Sequence, residues 1–182
     1  MTRQAPGPGV VLITGIMASG KSTVAQSLAE RLPRAVHVRG DVFRRMIVSG
    51  RHEYTPGTED PEAVAQLALR HRLSATTADA YARAGFTAIV QDVVLGAGLG
   101  AYPGLVRTRP FHVVVLAPDA ETVAARESGR AKTGYGAWTV AELDRALRDE
   151  TPRIGLWLDS SGLDVAGTVD AVLARWAEAR VA

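Results

Sequence analysis

The stretch Val10-Val11-Leu12-Ile13-Thr14-Gly15-Ile16-Met17-Ala18-Ser19-Gly20-Lys21-Ser22-Thr23-Val24 decides how the rest of the chain is read. Val10 to Thr14 is a short, continuous β-branched run, the pattern of a strand covered on both faces. Gly15 then opens the spacing glycine, four residues, Gly20-Lys21-Ser22, which is the phosphate-binding loop pattern. The two glycines let the backbone curl until successive N–H groups converge on phosphate oxygens. The helix that follows aims its positive end at the same anion. Lys21 is placed for the β- and γ-phosphates and the Ser22 hydroxyl for Mg²⁺, with Ala18, Ser19 and Thr23 completing the nucleotide cradle. Chance yields this pattern in roughly two sequences per thousand of this length. A strand before it and a helix after it make an accident rarer still.

Working outward, Val24, Leu28 and Leu32 recur at helical spacing until Pro33 stops the helix. Ala35 to Val38 reads as a second strand, and Gly40-Asp41 as the turn and N-cap of a helix running through Val48. Ser49 to Asp60 is a polar loop, and Pro61 suits the first turn of a long helix reaching Ala84, with Gly85 beyond it. Thr87 to Val94 and Phe111 to Leu116 are further strands, with a short helix expected near Gly104 to Thr108. Helices over 119–128 and 139–150, a strand at Ile154 to Leu158 and a helix from Val165 to Ala179 complete the pattern. Five buried strands alternating with helices define a three-layer α/β domain around a parallel sheet, one unit over residues 1–182. The Gly-rich segment 129–138 reads as a small lid whose Arg130 and Lys132 meet phosphate by folding inward.

Composition narrows the chemistry. The 182 residues are 47% hydrophobic and 22% charged, so a disordered chain or a membrane channel is a poor fit. There is no Cys, which removes disulfides, thiolate nucleophiles and Cys-held metals and makes a reducing cytoplasm the compatible compartment. The longest apolar stretch, Val10 to Met17, is too short to span a bilayer, and Pro6 and Pro8 interrupt any signal-peptide n-region. With 21 basic against 19 acidic residues, net charge gives no footprint for nucleic acid, and no long basic and aromatic groove stands out. Only Lys21 and Lys132 are lysines. The four histidines lack metal-ligand spacing, and Trp138, Trp157 and Trp176 are too scattered for a stacking platform. Gly96 to Ala101 fits the dinucleotide pattern G-x-G-x-x-A, but Pro103 and Gly104 leave little helix behind it. A loop at the carboxyl end of a central strand is the simpler reading.

The phosphate loop, Asp41-Val42-Phe43-Arg44 after the second strand, Asp92 within Ile89-Val90-Gln91-Asp92-Val93-Val94-Leu95-Gly96, and the Arg-rich segment Arg126 to Lys132 occur together. In these the chain resembles small P-loop phosphotransferases of the nucleoside-kinase-like superfamily: chloramphenicol phosphotransferase, zeta toxins, polynucleotide 5′-kinase, gluconate and shikimate kinases. The likeness to chloramphenicol phosphotransferase is closest at the third strand, although that enzyme carries an Asp-Asp pair where this chain has Gln91-Asp92. The resemblance implies an ATP- and Mg²⁺-dependent kinase for a small hydroxylated acceptor such as an antibiotic, sugar or nucleoside. It places an acceptor-binding carboxylate at Asp41, which orients the hydroxyl and takes its proton. A helix cap is the other reading of Asp41. Arg44 then holds an anionic acceptor or braces Asp41. Asp92 holds a Mg²⁺-bound water or touches the acceptor, or is a loop Asp satisfied by backbone amides. Arg126 and Arg130 supply cations to the phosphates, against a solvated basic face. Ser160, Ser161 and Gly162 fall where relatives contact adenine. A nucleotide-binding switch with slow ATPase activity and a polynucleotide 5′-kinase are the competing functions.

Overall fold

A computed structural model describes residues 6–54, 59–128 and 138–181. Strand β1, Gly9–Thr14, is buried along its whole length. Its alternate side chains feed two cores: Val10 and Leu12 on one face, Val11 and Ile13 on the other. Parallel neighbours flank it, β3 (Thr87–Gln91) on one side and β4 (Phe111–Leu116) on the other. With β2 (Ala35–Arg39) beyond β3 and β5 (Leu156–Leu158) beyond β4, the order is β2-β3-β1-β4-β5. Helices α1 (Lys21–Arg31) and α7 (Val165–Ala174) cover the Val11/Ile13 face through Val24, Leu28, Val169 and Val172. Helices α3 (Pro61–Arg83), α5 (Ala120–Ser128) and α6 (Val140–Arg145) cover the other through Ala75, Ala78, Val123 and Leu143. Helix α2 (Gly40–Arg45) follows β2, and α4 (Ala97–Ala101) follows β3.

Local chemistry sets the boundaries. Helix α1 ends because Leu32, preceding Pro33, is driven to the extended conformation at ψ 145°. Asp60 caps α3 by accepting from the N–H groups of Glu62 and Ala63, with Pro61 in the first turn. Thr139 and Glu142 form a reciprocal capping box on α6.

Several boundaries differ from the sequence reading. Helix α2 stops at Arg45, and Asp41 lies inside its first turn; the cap is Arg39. Strand β3 ends at Gln91, because Val94 N–H then donates to the Thr14 hydroxyl, which donates back to Val94 O. The short helix expected at 104–108 lies earlier, as α4 and a 3₁₀ turn Tyr102–Gly104, because buried Leu99 and Tyr102 anchor it. The glycine-rich segment is followed by only the five-residue α4, as Pro103 and Gly104 lead one to expect, which counts against the dinucleotide pattern. After α6 a π-helical turn, Ala146–Glu150, replaces regular helix. Strand β5 starts only after Gly155, where a Cβ would lie 2.3 Å from Val113 O. Helix α7 gives way at Ala174 to a 3₁₀ turn, and β6 (Arg180–Val181) pairs antiparallel with β4 as an unanticipated sixth strand.

His112 on β4 is 6% exposed and packs 4.5 Å from the Trp176 ring. Burial, helped by the Arg180 charge, lowers its pKa from 6.5 to about 4. The unfolded chain therefore takes up this proton below pH 6.5 while the folded chain resists it until about pH 4. Stability conferred by the neutral ring is present above pH 6.5 and is lost as the pH falls through that window, by up to about 3 kcal/mol. Denaturant titrations at pH 7.5 and 4.5 should show a smaller acid-induced loss in His112→Gln than in the parent.

Candidate active site

The loop between β1 and α1 turns on left-handed backbone at Gly15 (φ 146°), Ala18 (φ 60°) and Gly20 (φ 94°). Gly15 is obligatory, because a Cβ there would sit 2.4 Å from Leu116 O and 2.8 Å from Ser19 Oγ. Ala18 holds its conformation at a cost of roughly 1–2 kcal/mol for a residue with a Cβ. Gly20 is the N-cap of α1, so the first amides of that helix face the loop's cavity. Lys21 is 6% exposed and its Nζ donates to Ile16 O at 2.8 Å, folding the side chain back over the loop. Ser19 is buried and its Oγ has no partner among the described residues.

These elements open onto one cleft of about 1380 Å³ at the carboxyl ends of the strands, where α/β sheets bind ligands. The structure brings Ala18, Gly20, Lys21, Ser22, Thr23, Asp41, Arg44 and Arg126 together on it, while Gly15 and Ser19 lie buried in the loop. Arg126 of α5 donates from Nη2 to Ser160 O at 3.0 Å and reaches Ser19 O at 3.5 Å, tying the phosphate loop to the turn after β5. In that turn Ser161 Oγ accepts from Asp119 N–H and donates to Asp159, and buried Ser160 Oγ has no partner among the described residues. Arg130 and Lys132 lie outside the described residues, as does the segment 129–137. At its root, the Trp138 indole donates to Tyr54 O at 3.4 Å and the two rings stack 6.1 Å apart.

Beyond the phosphate loop the cleft is rich in charge. Asp41 Oδ2 accepts from Arg45 Nη2 at 2.6 Å, with 40% of the Asp41 side chain exposed. Arg44 pairs with Glu53, which also takes Arg51 at 3.2 Å. Arg39 lines the same wall. Asp92 does not share this exposure: it is fully buried, and Arg70 grips both its oxygens, Nε to Oδ2 at 2.8 Å and Nη2 to Oδ1. Val93 N–H also donates to Oδ1 at 2.7 Å. Gly40 packs directly on this carboxylate, where a Cβ would fall 1.9 Å from Oδ2. The pair therefore joins β3, α3 and the start of the helix carrying Asp41.

Sequence reasoning missed Arg70. Its signal was position: residues 63, 71, 74, 75, 78 and 82 mark the buried face of α3, and 70 falls beside them, so an arginine there calls for a carboxylate. With side-chain exposures of 15% and 0%, breaking the pair strands a buried charge. Arg70→Ala should destabilise the fold by roughly 3–5 kcal/mol in urea titrations. Adding Asp92→Asn should recover part of that loss, since the stranded charge is removed.

Among the described residues no cluster of three His, Asp or Glu side chains can hold a metal ion, and no helix is long and apolar enough to cross a membrane. A phosphate cradle and a carboxylate sharing one cleft can set a nucleotide's terminal phosphate against a second molecule. The chain is a nucleoside-kinase-like P-loop phosphotransferase. The family described as AAA domain matches residues 10–150, and the chain belongs to it. Cytidylate kinase of Bordetella pertussis is 30% identical over 211 residues, covering 92% of this chain and 94% of that enzyme. A sugar kinase from Janibacter superposes with TM-score 0.66 at 21% identity, over 93% of this chain and 95% of its own. The adenylylsulfate (APS) kinase of Mycobacterium tuberculosis, solved with AMPPNP and APS, gives TM-score 0.67 at 18% identity, over 94% and 99%. At those identities the two structures speak for the fold.

Proposed function

We propose that the chain is an ATP- and Mg²⁺-dependent kinase that transfers the γ-phosphoryl group to a hydroxyl of a small molecule. The observation carrying this reading is the shared cleft of Lys21 and Asp41, one on the phosphate loop and the other on the helix after β2. Lys21 and the loop amides hold the β- and γ-phosphates, and Arg126 adds a cation from α5. Asp41 orients the acceptor hydroxyl and takes its proton as the new O–P bond forms and the bond from the γ-phosphorus to ADP breaks. Arg45 holds that carboxylate and Arg44 faces the acceptor. Ser22, exposed on the cleft, would hold Mg²⁺, which would neutralise charge on the phosphates; Asp92, buried and engaged by Arg70, does not line that cleft.

A phosphate-group acceptor is the second reading. It is favoured by the 30% identity to a cytidylate kinase and by arginines 39, 44, 45 and 70, which line the cleft together with Arg126. Incubation with ATP, Mg²⁺ and separate acceptors (D-gluconate, D-glucose, cytidine, chloramphenicol and CMP) tests both, reading ADP release and product mass. Acceptor-dependent ADP release with a phosphorylated alcohol supports the first reading. Turnover of CMP alone favours the second, and acceptor-independent hydrolysis alone argues for a slow ATPase.

A further inference from the structure

Of the six residues of α2, Gly40 is the one that is buried, and it rests on Asp92 so closely that a Cβ would fall 1.9 Å from Oδ2 and 2.4 Å from Cγ. Sheet register creates this contact: Arg39 pairs with Gln91 at the ends of β2 and β3, so Gly40 and Asp92 leave the sheet side by side. Arg70 holds the carboxylate in place, Nε on Oδ2 at 2.8 Å and Nη2 on Oδ1, while Val93 N–H donates to Oδ1 at 2.7 Å. A guanidinium fork on both oxygens fixes the plane of a carboxylate as well as its position. Asp41, the next residue after Gly40, makes no such contact with the sheet among the described residues. Its ion pair is with Arg45, four residues along the same helix, and so travels with α2 instead of anchoring it. Arg44 ties α2 to Glu53 through an exposed pair, and Phe43 packs partly buried on the core two residues beyond Asp41.

We propose that Arg70 is a positioning residue for Asp41: by gripping Asp92 it sets the surface on which Gly40 rests, and with it the distance of the Asp41 carboxylate from the phosphate loop. The effect on turnover rests on the kinase reading above. A general base works only within hydrogen-bond reach of the proton it takes, and a misplacement of about 1 Å costs roughly a hundredfold in rate. A six-residue helix has too little stability of its own to hold a side chain that closely. A buried pair bonded at two points supplies the missing rigidity from behind the site. The arrangement also accounts for an ion pair at that depth, since two buried charges contribute less to stability than well-packed apolar side chains of the same volume and are retained here for geometry.

The test is a double-mutant cycle on the full chain, with ATP, Mg²⁺ and whichever of D-gluconate, D-glucose, cytidine, chloramphenicol and CMP is phosphorylated. Arg70→Lys keeps a cation but loses the fork. Assayed well below its melting temperature, it should bind ATP as the parent does and lower kcat by about tenfold or more. Because Arg70 acts through Asp41, the same change made in Asp41→Asn should cost less than about twofold. Equal losses in the two backgrounds would overturn the proposal, since general loosening, or direct contact of Arg70 with the acceptor, slows both alike. Gly40→Ala leaves Arg70 untouched and pushes α2 off Asp92, so it should repeat the fall in kcat; it also serves if Arg70→Lys folds poorly. Parental kcat in folded Gly40→Ala would count against the proposal as decisively. Crystal structures of parent and Arg70→Lys supply a readout that needs no turnover: the Asp41 Cα should shift by about 0.5–1 Å relative to the phosphate loop. An unshifted α2 overturns the proposal whatever the rates. A shifted α2 in a protein that phosphorylates none of the five acceptors would keep the role of Arg70 in placing Asp41 and reject the kinase reading. Phosphorylation with equal losses in the cycle would do the reverse.

Discussion

Lys21→Met is expected to lower ATP turnover by roughly 10²–10³-fold or more, because the main side-chain cation at the transferring phosphoryl group is removed. The lysine stem is buried and its Nζ reaches Ile16 O, so methionine keeps most of the packing while deleting the charge. The loop's left-handed turns at Gly15, Ala18 and Gly20 do not depend on that charge, so the loop should persist. Circular dichroism and a melting curve matching the parent, together with lost turnover and weakened ATP binding by calorimetry, are the expected results. Parental turnover in the folded variant would remove the phosphate loop from the chemistry.

Asp41→Asn should leave ATP affinity nearly intact and cut acceptor phosphorylation by roughly a hundredfold or more, the effect of losing a general base. A structural explanation for such a loss is weak. Asp41 lies within the first turn of α2 and caps nothing, and its half-exposed pair with Arg45 contributes at most about 1 kcal/mol. A kcat that falls while the melting temperature stays level is therefore the signature of chemistry. Equal kcat in variant and parent would make Asp41 only a partner for Arg45.

The phosphate loop, β1, α1, α3 and β4 were legible because each rests on local signals: an apolar run, two glycines, helical spacing, a proline stop. Asp41 was legible as a candidate for the same reason, since it follows a strand directly. Its alternative as a cap could be settled only by the backbone, which begins α2 one residue earlier, at Gly40. What escaped was long-range pairing. Arg70 and Asp92 are 22 residues apart, and nothing in the sequence of α3 distinguishes Arg70 from Arg72 except the side of the helix it occupies. The need for glycine at 40 arises only from Asp92 packing against it, and β6 forms only because Arg180 and Val181 return to pair with His112 and Phe111 of β4. Asp92 shows the consequence: at the end of a central strand it reads as a group facing ligand, whereas its oxygens face Arg70 and a backbone amide.

The most direct measurement is a crystal structure of the full chain with AMPPNP, Mg²⁺ and whichever acceptor the turnover screen identifies. The account predicts the β- and γ-phosphates within hydrogen-bond distance of the loop amides and Lys21 Nζ, with an acceptor hydroxyl on Asp41 directed at the γ-phosphorus. Phosphates bound away from the loop, or an acceptor seated in the cleft with Asp41 still turned to Arg45 and out of its reach, would contradict it.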